Sequence, residues 1–123
     1  MPDKSAHRQR AVDNETFANQ RLDMDEAGDR PWVATAYFYA ALHWIEAYLA
    51  SLPTPVHSRS HAHRKQFIAG DARLRPIQPQ YRDLEDASRD ARYELRAFSK
   101  TELRALYTNN LEPLRKYFEA LIP

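Results

Sequence analysis

The sequence predicts an all-α fold, and three observations carry that prediction. Apolar residues recur at intervals of three and four over most of the chain, the period of a helix with one buried face. Alternating runs of the strand type are missing. Only two glycines, Gly28 and Gly70, occur in 123 residues, which leaves almost no material for hairpin turns or a phosphate-cradling loop. The expected architecture is a single domain over residues 1–123, an up-down antiparallel bundle of five or six helices.

The first helix is expected from about Ser5 to Ala27, weakly amphipathic, with Ala11, Phe17, Ala18, Leu22 and Met24 set among charges. Gly28 and Asp29 end it, and Pro31 suits the first turn of the next helix, where its missing N–H is no loss. That second helix, about Pro31 to Ser51, is apolar nearly all round, including Trp32, Phe38, Leu42, Trp44, Ile45 and Leu49. A helix without a polar face is surrounded by others, so this one is the central strut. Its exception is a stripe of Thr35, Tyr39, His43 and Glu46, which fall on one side at helical spacing.

Pro53 and Pro55 then break the chain. Ser58 or Ser60 caps a short third helix running to Ala69, and Gly70 closes it. Pro76 and Pro79 open a fourth helix, about Ile77 to Phe98, whose apolar seam is Ile77, Tyr81, Leu84, Ser88, Ala91 and Leu95. The small Ser88 and Ala91 let a neighbour approach closely. Ser99 with Glu102 forms a capping box before Leu103, Leu106 and Tyr107. Pro113 does not fit an undisturbed helix interior, so Asn110 is expected to cap a separate final segment with Leu114, Phe118 and Leu121.

Composition narrows the class further. A hydrophobic fraction of 43% supports one core, with so narrow a margin at this length that a second copy would help. The absence of cysteine excludes disulfides, thiolate metal sites and cysteine nucleophiles, as suits a reducing cytosol. The net charge of +1 carries no global signal for nucleic acid. Charge is concentrated, however, between His57 and Arg75, where five cations and three histidines accompany one acid, Asp71. The opening MPDKSAHRQR lacks the apolar core of a signal peptide. Trp32 to Leu52 is long enough to span a bilayer, but His43 and Glu46 near its centre argue for a buried helix of a soluble, cytoplasmic protein.

Three phrases together resemble the HEPN family of helical domains: TAYFYAALHWIEAYLA (Thr35 to Ala50), HSRSHAHR (His57 to Arg64) and YRDLEDASRDARY (Tyr81 to Tyr93). The similarity runs over about residues 7 to 121. It implies an up-down helical bundle, homodimerisation and involvement with RNA or nucleotides. Catalytic members cleave RNA with an arginine followed, after four to six residues, by a histidine. No histidine here has an arginine at that distance; the nearest pair, Arg59 and His63, has three residues between. Enzymatic activity by the usual motif is therefore not implied.

Two constellations remain as candidates. His43 and Glu46, one turn apart, are either an acid–base pair or a buried polar pair bonded to Tyr39 or a neighbouring helix. The segment His57 to Lys65 is either a phosphate-recognition site or a solvated basic face. In the first case His57, Arg59, Arg64 and Lys65 bind a nucleotide or RNA, with Arg92 adding to the site, beside Arg89 and Tyr93, from the fourth helix. Arg59, His61 and His63 are then the candidates for metal-independent phosphodiester cleavage. Asp86 and Asp90 are alternatively expected to engage Arg89, Arg92 or Arg96 along the helix. A metal site on His57, His61 and His63 is not expected, because no acid lies between Ala47 and Gly70 and arginines flank them. No cofactor is indicated. The leading expectation is an RNA- or nucleotide-binding HEPN-like homodimer. Its rivals are a divergent endoribonuclease, such as the toxin of a toxin–antitoxin pair with a partner protein encoded nearby, and a purely structural module.

Overall fold

The most apolar segment of the sequence becomes the axis of the structure. In the computed structural model, which describes residues 2–123, α2 (Arg30–Ala50) touches α1 (Lys4–Met24), α4 (Gln78–Tyr93), α5 (Lys100–Leu106) and α6 (Glu112–Leu121). α3 (His61–Gly70) follows the Pro53 and Pro55 break. The chain is a helical bundle with 79% helix and no strand among the described residues. Of α2's side chains, Tyr37, Phe38, Trp44, Ile45 and Leu49 are fully buried, whereas Trp32 at its start is 61% exposed. The expected burial of Trp32 therefore fails: Val33 and Ala34 beside it are fully buried, so Trp32 stands on the solvent side of a packed first turn. No helix among the described residues is long and apolar enough to cross a membrane.

Local signals explain most helix ends. Asp3 caps α1 by accepting from the Ala6 amide, and Asp25, left-handed at φ 51°, ends it before Gly28 is reached. Pro31 stands in the first turn of α2, and Ser60 caps α3. Both halves of the Ser99–Glu102 capping box are formed. The seam of α4 buries Tyr81, Leu84, Ser88 and Ala91, and Ile77 is buried just before it. Leu95 does not belong to that seam. The helix stops at Tyr93, and Leu95 turns out at φ 51° with 88% of its surface exposed.

Pro113 is accommodated in another way than by a break. A π turn (Tyr107–Leu111) joins α5 directly to α6, with Pro113 in the first turn of α6. Widening the hydrogen-bond ladder to i→i+5 just ahead of the proline makes room for its ring and its missing donor. Asn110 is consequently buried inside a continuous helical rod and caps nothing.

Candidate functional site

A single carboxylate inside the most apolar helix needs compensation, and the chain supplies it from the loop and helix that follow. Glu46 is 2% exposed. Its Oε1 accepts from Arg64 Nε at 2.9 Å and from the Ser58 hydroxyl. Its Oε2 faces the Ser58 amide at 3.5 Å and His57 Nδ1 at 3.6 Å. Burial pushes the Glu46 carboxyl up, but these donors outweigh it and hold the group below its usual range.

The stripe residues of α2 take their partners separately. His43 meets His7 of α1, Nδ1 to Nδ1 at 3.0 Å, with the rings stacked 5.3 Å apart. One ring donates and the other accepts, so the pair holds one shared hydrogen while neutral. Burial, followed by the neighbouring His7, pushes His43 down to about 4. Burial also lowers His7, partly offset by Glu46. Tyr39, half-buried, packs on Phe38, and Thr35 donates back to the Pro31 carbonyl. His43 and Glu46 thus take partners on other elements rather than each other, His43 on α1 and Glu46 on α3 and the loop before it.

The basic segment divides three ways. Arg64 is buried, bonded to Glu46 and set 3.1 Å through Nη1 from His61 Nδ1. Its charge is committed to the interior and does not face solvent. Arg59, Ser60 and His63 line an open hollow at the start of α3. There the Arg59 amide donates to His63 Nδ1 at 3.0 Å, which places the ring hydrogen of a neutral His63 on Nε2. His61 and Lys65 turn toward α4.

Between α3 and α4 lies a groove of about 250 Å³ where His61 and Lys65 meet Glu85, Arg89, Arg92 and the rings of Phe38 and Tyr93. Lys65 pairs with Glu85 at 2.8 Å, and Arg89 pairs with Asp86. Arg92 donates through Nε to the Ser88 carbonyl at 3.3 Å and lies 5.1 Å over Tyr93. Its terminal nitrogens have no hydrogen-bond partner among the described residues. Arg96 pairs instead with Asp90 and Glu102. Burial, then Arg64, lowers His61 from its ordinary value. Neither His7 nor the closure of Glu46 by Ser58 was legible in local spacing. Glu46, as the one acid in an apolar helix, was the signal that a buried cation had to exist.

Compared with family models, curated proteins and solved structures, the chain matches none of them.

Proposed function

We propose that the protein is a HEPN-like, up-down helical module that binds RNA or a nucleotide through the groove between α3 and α4. The observation that carries this reading is the convergence in one groove of three cations and two aromatic rings from α2, α3 and α4. Guanidinium groups recognise phosphate through charge-assisted hydrogen bonds, and exposed aromatic faces stack on bases. Phe38 is buried, so Tyr93, 71% exposed, is the stacking platform. Arg92 offers its terminal donors beside it. This reading keeps Lys65 and Arg92 as phosphate contacts, adds Arg89, and drops Arg64, Arg59 and His57, which do not line the groove. The resemblance adds homodimerisation, for which a dimer by sedimentation at micromolar concentration is the check.

A metal-independent endoribonuclease is the second reading, favoured by the Arg59–His63 arrangement. With Nδ1 accepting from the Arg59 amide, a neutral His63 presents Nε2–H beside an arginine as a donor to a phosphate oxygen, and it acts as a general base only when that amide contact opens and the ring hydrogen moves to Nδ1. One experiment tests both. Fluorescence anisotropy with a labelled single-stranded RNA and with ATP, at low salt, is expected to show binding that Arg92→Glu weakens at least about tenfold. Binding to neither probe overturns the first reading. An EDTA-resistant cleavage lost in His63→Ala supports the second, and intact RNA after prolonged incubation overturns it.

A further inference from the structure

His57 Nδ1 and Glu46 Oε2 stand 3.6 Å apart, too far for a hydrogen bond. That separation is close to the spacing of two donors on one tetrahedral zinc ion, about 3.3 Å for metal–ligand bonds near 2.0–2.1 Å. His7 closes the third side. One donor atom from each of His7, Glu46 and His57 lies within 4.8 Å of the others. We propose that these three side chains form a site for a divalent transition metal of the Zn2+ class.

An independent feature points to a ligand there. His7 is 5% exposed, and its Nε2 is buried without a hydrogen-bond partner among the described residues. A buried imidazole nitrogen left unpaired is unfavourable, and a metal ion relieves that penalty directly. The other nitrogen is already oriented, since Nδ1 of His7 meets His43 at 3.0 Å. With the hydrogen on His7 Nδ1 and His43 accepting, the lone pair of His7 is left on the unpartnered Nε2. Metal-binding histidines are commonly fixed in this way by a partner on the far nitrogen.

The donor chemistry also fits. Two imidazoles and one carboxylate make a set typical of zinc sites that keep an open position. Glu46 can serve Arg64 and a metal together, because Arg64 and the Ser58 hydroxyl bond Oε1, while Oε2 faces His57 and only a long contact, 3.5 Å, from the Ser58 amide. The ligands come from α1, α2 and the loop over residues 51–60. His57, with its side chain 41% exposed, has room to close the site by rotation. The nearby charge of Arg64 opposes a cation, so affinity is expected below that of structural zinc sites.

The test uses the full chain after EDTA treatment and desalting, with Zn2+ in calorimetry and Co2+ in visible absorption. One ion per chain should bind, raise the melting temperature and, for Co2+, give the absorption bands of a low-symmetry site. His57→Ala, a change at an exposed side chain, should weaken binding at least about tenfold, the scale already seen for loss of mere outer-shell partners. His63→Ala, in the same segment but outside the cluster, should leave it unchanged. Circular dichroism verifies that each variant is folded. No saturable binding by the wild type overturns the proposal. So does binding that survives His57→Ala, or that falls equally in His63→Ala.

Discussion

Glu46 Oε1 and Arg64 Nε meet at 2.9 Å with their side chains 2% and 9% exposed, so the charge of one is buried only because the other is there. Removing one partner leaves the other as an uncompensated interior ion. Arg64→Ala is therefore expected to destabilise the fold by about 3–5 kcal/mol. The double change Glu46→Leu with Arg64→Met should be milder than that single change, since no charge remains stranded. Urea denaturation of both variants checks this. Equal stability of wild type and Arg64→Ala would show that the pair is not sealed from water.

The seam of α4 makes two opposite predictions one turn apart. Ala91 is buried against its neighbours, so Ala91→Leu should overpack the contact and cost about 1–3 kcal/mol. Ser88 is fully buried, and its hydroxyl has no partner among the described residues. Ser88→Ala removes an unsatisfied polar atom and is expected to stabilise by about 1 kcal/mol. Thermal melts that moved in the same direction for both would contradict this packing.

The fold was legible where one local rule acted without competition. α2 was readable from its apolar surface, and the Ser99–Glu102 box from its spacing. Errors arose where context chose between local options. Leu95 fits the period of α4, yet the chain leaves the helix after Tyr93, so periodicity alone overextended the element. Pro113 allowed either a break or a π turn, and packing of Leu111 and Leu114 into the core favours continuity. The polar centre was the least readable part. His7 and His43 are 36 residues apart, and no pattern within a single helix predicts their contact. Arg64 looked like a surface cation because its partner lies on another helix.

Acid should weaken the fold through the His7–His43 pair. In the unfolded chain each imidazole takes up a proton near pH 6.5. In the folded protein burial lowers both, His43 to about 4, despite the opposing attraction of Glu46 and with Arg10, Arg64 and His57 adding to the depression. Between pH 6.5 and 4 the unfolded state binds more protons, so unfolding free energy falls as pH falls. The stability contributed by the neutral pair is complete above pH 6.5. With EDTA present, the urea midpoint should drop between pH 7.5 and 5, and His43→Gln should flatten that dependence. A midpoint that rises on acidification would reverse the assignment.

The groove reading makes a final demand on salt dependence. If Lys65, Arg89 and Arg92 contact phosphates, binding RNA releases counterions, and the logarithm of affinity falls linearly with the logarithm of salt concentration. For a single strand, each lost phosphate contact should reduce the slope by about 0.7. Arg92→Gln and Arg89→Gln are expected to behave in this way, because both side chains line the groove at its surface. Tyr93→Ala should differ. Losing a stacking platform weakens binding by about 1–3 kcal/mol per base while leaving the slope nearly unchanged. Anisotropy titrations at four salt concentrations separate the two signatures. Tyr93 is highly exposed, so its removal leaves the core untouched and the comparison clean. If all three variants shift affinity without altering slope, phosphate contact does not reside in this groove. If Arg59→Gln instead reduces the slope, the binding surface is the hollow at the start of α3, where Arg59 and His63 stand together.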